Sequence, residues 1–389
     1  MGLGELIAKY DVPGAQVAVL TGGEIRDESA GVSSTGDQVT SDSAFRVGSI
    51  TKIWTATLVQ RLVDEGLLDP DRPVCRYLPG FAPSLTARHL LTHTGGLDSN
   101  HFFGIGRGDD ALARYASALA TAEHPIPPGT VFSYSNSGFV VLGRLVEVLS
   151  GRPFHDVLRE RLVQPLGLRT VVTEVGHGTA PGASDFAMSA RELLRFVRLH
   201  LDDPKLAVLR ETQVEAVPDF GGGVLGWGLG WMLYRDGVVG HTGVAKGHKA
   251  FLRVAPDSGT AVAVLANSAD SEPLAHEIFT EVLKSIDAPP TPAVNPGEIA
   301  DRMYGTYRNQ LYDITLTTAD GRTVLIYRPR TELGRAKRVE VVRHGDSSVI
   351  AVTPTSDGYQ VFSLVGEDER GRARFLHNGS AAYRITPPR

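Results

Sequence analysis

Cysteine is almost missing from this chain. Cys75 stands alone among 389 residues, which excludes an internal disulfide framework and any site built on several thiolates. It lies in "RPVCRYLPG" (72–80) with no histidine nearby, so an inert structural thiol is expected. Long apolar runs are also absent: no stretch approaches the ~20 residues of a membrane span. Nor is there an excess of positive charge. With 39 Lys+Arg against 44 Asp+Glu the formal net charge is −5, which argues against nucleic acid or an anionic membrane surface as a partner. The first residues, "MGLGELIAKYDVPGAQVAVL", lack a charged start followed by an apolar run and a small-residue cleavage site, so a cytoplasmic protein is expected.

What is present is ordinary globular sequence, 42% apolar and 21% charged, with length for one large domain and a smaller one. The chain divides near residue 290. "DAPPTPAVNPG" (287–297) holds four prolines and no apolar period, a linker signature. A domain over 1–287, a linker over 288–297 and a second domain over 298–389 are predicted. Before the linker, "AQVAVL" (15–20) and "IRDESA" (25–30) read as strands around a turn at 21–24. "AFLRVA" (250–255) and "TAVAVLA" (260–266) repeat that pattern at the far end. "SEPLAHEIFTEVLKSI" (271–286) reads as an amphipathic helix capped by Ser271, and residues 49–200 are mostly helical. This order predicts an α+β domain, its sheet built from both chain ends around an inserted helical subdomain. Residues 301–389 alternate apolar and polar residues between turn signals and carry 14 Lys+Arg against 10 Asp+Glu. A small all-β sandwich or barrel is expected there.

"FRVGSITKIW" (45–54) sets Ser49 and Lys52 three positions apart, on one face if helical. An amine there can take the serine proton when partly neutral. A capped surface helix with a solvated lysine is the plainer alternative. From Ser49, an apolar stripe runs through Ile50, Ile53, Trp54, Leu58 and Leu62 to a closing "DEG" at 64–66, so Ser49 opens a buried helix. Main-chain N–H groups at such a start can stabilise an oxyanion. Two further stretches complete a constellation: "FSYSNSG" (132–138) with Tyr134 and Asn136 in a loop before a helix, and "GHTGV" (240–244) with His241, Thr242 and Gly243 at a strand edge.

Serine with lysine, Tyr-x-Asn, then a basic residue with Thr-Gly, in this order, resembles the serine β-lactamase and penicillin-binding-protein superfamily. The branch is that of class C β-lactamases and D-alanyl-D-alanine carboxypeptidases, whose middle motif carries tyrosine. "RHLLTHTGGL" (88–97), "RPFHDVLRERLVQPLGL" (152–168) and "SARELLRFVRLHL" (189–201) are also typical of the group. The resemblance covers roughly residues 8–286 and implies an α/β/α sandwich with an antiparallel sheet. The tail, beginning "YGTYRN" (304–309), looks like the lipocalin-like β-barrel that often follows such domains.

The resemblance further implies roles. Ser49 forms an acyl-enzyme, Lys52 and Tyr134 share its proton, and Asn136 binds a substrate amide or orients Lys52. The N–H groups of Ser49 and Val244 form the oxyanion hole, flanked by Thr242 and Gly243. No cofactor or metal is implied. His241 stands where penicillin-recognising relatives usually have lysine, and a mostly neutral imidazole anchors a carboxylate poorly. Esterases, D-aminopeptidases and peptide-cyclising thioesterases of the superfamily often carry histidine there. The link into residues 189–201 is short for the family, which leaves one cleft wall thin and suits a bulky acyl donor or a non-water acceptor. The expected function is a serine acyl hydrolase or acyltransferase on an amide, ester or thioester. Its partners would be a small-molecule or peptidyl acyl substrate and, for transfer, an amine acceptor or an acyl-carrier donor. A transacylase or cyclising thioesterase of secondary metabolism, a D-aminopeptidase, esterase or β-lactamase, and a non-catalytic binding or sensor relative remain open alternatives.

The other marked residues have plainer readings. His89 and His93 have helix spacing for zinc but lack the glutamate of H-E-x-x-H, so structural roles are expected. "GWGLGW" (226–231) and "FGGG" (220–223) read as a strand and its glycine turns under the site, where Trp227 and Trp231 either line a pocket or pack in a core. Arg328, Arg330, Arg335, Lys337 and Arg338 decorate a hairpin, with docking of an acidic carrier protein as the sharper alternative.

Overall fold

The computed structural model describes residues 2–99, 108–169, 172–173, 183–184, 186–215, 223–284, 293, 297–332, 334–355 and 358–385. Most of the proline-rich stretch, and most of the link before residue 186 with its thin cleft wall, lie outside the described residues. Helix α1 (Leu3–Lys9) leads into the hairpin β1 (Gly14–Thr21) and β2 (Glu24–Gly31). Short strands β3 (Phe45–Arg46), β4 (Val172–Thr173) and β5 (Phe186–Met188) form a small sheet in the order β3-β5-β4. Then come β6 (Gly226–Trp227), β7 (Met232–Leu233), β8 (Val239–Ala245), β9 (His248–Ala255) and β10 (Thr260–Ala266). The main antiparallel sheet has the order β2-β1-β10-β9-β8-β7-β6, so the two chain ends meet at β1-β10, as the sequence pattern predicts.

Alternation explains the layers. Val262, Val264 and Ala266 of β10 face α1 and α8 (Glu272–Leu283), whereas Ala261, Ala263 and Leu265 face the helical body. Both faces are covered, which is why "TAVAVLA" is apolar throughout. Ser271 does precede α8, but its hydroxyl donates to Ser268 O (3.1 Å) instead of capping the helix. The helical body comprises α2 (Thr51–Asp64), α3 (Ala87–Leu91), α4 (Ala111–Ala120), α5 (Asn136–Ser150), α6 (Phe154–Leu158) and α7 (Ala190–Asp202).

Helix α2 differs from its expected one-sided stripe. Every residue from Thr51 to Val59 is buried, and Trp54 stacks on Phe196 with centroids 3.7 Å apart. It is a central helix, and two of its three threonines bond within it: Thr57 donates to Ile53 O (2.8 Å) and Thr55 to Thr51 O (3.4 Å).

Residues 305–385 form a closed eight-stranded antiparallel barrel. Its strands are β11 (Gly305–Arg308), β12 (Tyr312–Ala319), β13 (Arg322–Pro329), β14 (Lys337–Gly345), β15 (Ser348–Ala351), β16 (Val361–Glu367), β17 (Ala373–Asn378) and β18 (Ser380–Ile385). Each strand pairs with the next and β18 returns to β11, which leaves no open edge. Side chains such as Tyr307, Leu325, Phe362 and Leu376 fill the interior, so the barrel is a packed core and not a ligand cup. The basic run lies on and after β13 and at the start of β14, with exposed side chains.

Candidate active site

Ser49 sits in a 3-10 turn, Gly48–Ile50, immediately before α2, and not in the α-helix itself. Gly48 has φ +50°, and a Cβ there would come within 2.7 Å of Val244 N. Gly243 is equally constrained, since its Cβ would lie 1.8 Å from Val47 O. The turn that carries Ser49 therefore packs directly against β8, which needs glycine on both sides of the contact. Strand β7 pairs only with Val239 and Gly240, so the rest of β8 is left to meet this turn. The main-chain nitrogens of Ser49 and Val244 end up on facing segments. Val244 is 63% exposed, which marks the open side of the site.

Lys52 is fully buried and, among the described residues, its hydrogen-bond partners include no carboxylate. Its Nζ lies 3.1 Å from Ser49 Oγ, 2.6 Å from Asn136 Oδ1 and 3.0 Å from Ala183 O. Burial holds its pKa well below the usual lysine range. The amide and carbonyl oxygens can only accept, so a neutral amine gives them its two N–H bonds and turns its lone pair toward Ser49. Asn136 is the first residue of α5 and not a loop residue as expected; Ser135 caps that helix by accepting Gly138 N–H (3.1 Å). The Tyr134 phenol hydrogen-bonds Ser49, and burial pushes its pKa up. Its ring lies 4.8 Å below the Lys52 amine.

His241 forms part of the floor. It is fully buried, its Nδ1 donates to Thr242 O (2.8 Å), and burial lowers its pKa to about 3. Its ring meets Trp227 edge-on at 5.7 Å and lies 6.3 Å from Tyr134. Thus Ser49, Lys52, Tyr134, Asn136 and the His241–Val244 segment converge on one place.

Sequence reasoning missed several supports. His93, left as generically structural, is buried at φ +56° and accepts the Ser135 N–H on Nδ1 (3.0 Å). Its ring lies 4.3 Å from that of Tyr134, whereas His89 Nδ1 accepts Thr86 N–H (3.3 Å), so the two histidines serve different loops. Trp227 is fully buried beneath His93, Tyr134 and His241. Trp231 is buried against His200, so both tryptophans are core. Gln16, 2% exposed, donates to Thr40 O and Ser43 O and accepts Ala190 N–H, which ties β1 to the segment leading to Ser49. The Ala183 carbonyl has no side-chain signal that sequence could offer.

Residues 3–285 match the family model described as Beta-lactamase. The chain belongs to the Beta-lactamase family. It is accordingly an enzyme of the β-lactamase superfamily of serine hydrolases. Penicillin-binding protein 4 of Amycolatopsis lactamdurans is 35% identical to it, over 78% of this chain and 95% of that protein. Esterase EstB of Burkholderia gladioli is 36% identical, over only 33% of this chain and 38% of its own. A solved structure titled "Crystal structure of SurE with D-Leu" superposes with a TM-score of 0.84 at 27% identity, covering 98% of this chain and 97% of that one. The likeness to that structure thus extends through the barrel. Among the described residues, no helix of this family member is long and apolar enough to cross a membrane.

Proposed function

We propose that the protein is a serine acyltransferase and hydrolase that carries its substrate's acyl group on Ser49. The observation behind this reading is the opposite tuning of two neighbours of one hydroxyl. Burial favours neutral amine at Lys52 and protonated phenol at Tyr134, so one is the base and the other the acid. Lys52 takes the Ser49 proton as Oγ attacks the acyl carbonyl, and Tyr134 gives a proton to the departing atom. The Ser49 and Val244 N–H groups receive the oxyanion, while Asn136 holds the Lys52 amine in place. In the second step an acceptor attacks the ester, its proton passes to the same pair, and Ser49 is released.

The acceptor and donor follow from the surroundings. His241 supplies no positive charge at neutral pH, so a free carboxylate lacks the anchor that lysine would give. A neutral ester, amide or thioester donor fits better than a β-lactam acid. The neighbour's title places D-Leu in SurE, which makes donors ending in a D-residue the first to test, with an amine as acceptor. The test is product analysis of a D-leucyl-terminated peptidyl thioester with and without a peptide amine. The reading expects new amide that grows with amine concentration. Acid alone at every amine concentration would refute transfer and leave a hydrolase.

A further inference from the structure

The residue just ahead of α5 receives its main-chain partners from an unexpected quarter. Tyr134 N–H donates to Gly379 O (2.9 Å), and Ser380 Oγ donates to Tyr134 O (3.0 Å). One residue earlier, Ser133 Oγ accepts Ala381 N–H (3.0 Å). Gly379 is the turn between β17 and β18, and Ser380 and Ala381 open β18. The body of the enzyme holds only the flanks: Ser133 N–H donates to His93 O (2.7 Å) and Ser135 N–H to His93 Nδ1 (3.0 Å). Around these bonds Ile126 and Val131 pack against Phe375, Ala381 and Tyr383 of the barrel. Phe132 meets His377 at 5.9 Å between centroids.

We propose that the β17–β18 turn of the barrel is a positioning element for Tyr134. This rests on the acid role given to Tyr134 above. Both main-chain polar groups of Tyr134 are held by the barrel, one by a main-chain carbonyl and one by a serine hydroxyl. The phenol must meet Ser49 and a leaving atom together, and a displacement of about 1 Å from a catalytic group can cost on the order of a hundredfold in rate. The barrel is therefore part of the catalytic apparatus and not a separable appendage. Ser133 and Ser380 act through Tyr134 and touch no reacting atom.

The test uses the full chain with Ser133→Ala/Ser380→Ala, compared with Ser380→Thr, which keeps the hydroxyl donor, and with Tyr134→Phe. The double variant should lose about 10- to 100-fold in kcat with KM changed less than about twofold. The loss should be larger for alkyl esters than for nitrophenyl esters, whose leaving groups need little protonation. Ser380→Thr should restore most of the rate. Hydrogen exchange over 131–137 should quicken in the double variant while barrel strands stay protected. Unchanged exchange and unchanged kcat would overturn the clamp. A loss equal for all leaving groups and not rescued by threonine would overturn it too, as a mere stability effect. If instead Tyr134→Phe retained full activity, the acid role itself would fall, and the clamp as a catalytic device with it.

Discussion

Two basic side chains, Lys52 in α2 and Arg384 in the barrel, are each held by several neutral protein oxygens. Lys52 gives its bonds to a hydroxyl, an amide and a carbonyl. Arg384 binds the carbonyls of Ala373, Tyr304 (2.8 Å) and Arg302 (2.9 Å) and the Tyr307 hydroxyl, with its guanidinium 4.7 Å over the Tyr307 ring. A Cβ on Gly305 would lie only 2.0 Å from the Arg384 Nη1, so the cation is built into that part of the barrel. The oxygens are alike, but Lys52 is fully buried and Arg384 only half-buried, and the two side chains differ in what they can do with a proton. A buried lysine answers desolvation by shedding its proton and so becomes a base. Arginine has no accessible neutral form, so the same oxygens become a fixed bracket. One arrangement makes chemistry and the other makes rigidity.

The largest effect that sharpens this contrast is Lys52→Met. It keeps length and apolar bulk but removes the proton acceptor, so kcat/KM should fall by about a thousandfold or more. The melting temperature should hold or rise, because desolvating the amine no longer costs free energy. A variant that keeps activity within about tenfold would show that Lys52 is not the base. The mirror experiment is Arg384→Met. It removes the donor shared by three partly buried carbonyls and should cost about 1–3 kcal/mol of barrel stability. Turnover well below the melting transition should fall far less than in Lys52→Met, since Arg384 hydrogen-bonds barrel residues and not Ser49, Lys52 or Tyr134. Denaturant titration read by barrel and helix probes separately would check it; no change in the barrel transition would mean that packing alone holds it.

A smaller effect concerns acid. His200 is fully buried, its Nε2 lies 3.0 Å from Thr57 Oγ1, and burial lowers its pKa from the usual 6.5 to about 3. Between those values the unfolded chain binds the proton and the folded one does not, so stability rises with pH there. The contribution is complete above about pH 6.5 and is lost as pH falls toward about 3. His200→Gln should flatten the acid side of the melting-temperature profile by a few degrees. An unchanged slope would place the acid sensitivity elsewhere, with His93 and His241 as the other neutral imidazoles near α2.

How much could be read beforehand follows the same division. The convergence of Ser49, Lys52, Tyr134, Asn136 and His241 was legible because the proton transfer proposed for them restricts residue types at short spacings, and such patterns survive in a linear text. The hairpins β1-β2 and β9-β10 were legible because apolar alternation brackets a turn. By contrast, Tyr134 and Ser380 are 246 positions apart, and their contact uses a carbonyl and a common hydroxyl. No composition or period marks such a pair. The two-residue strand β6 falls within "GWGLGW", which reads as a strand with glycine turns, whereas β7 just beyond it carries no pattern of its own. His93 was legible as structural, but nothing in "RHLLTHTGGL" points to the Ser135 N–H as its partner.

The most direct measurement is intact-mass spectrometry of the full chain after brief mixing with a slowly turning ester, followed by peptide mapping. The account predicts a single acyl adduct on the peptide containing Ser49. It should be absent from Ser49→Ala, formed slowly by Lys52→Met, and discharged faster when an amine is added. Steady turnover by Ser49→Ala, or an adduct mapped to any other residue, would contradict it.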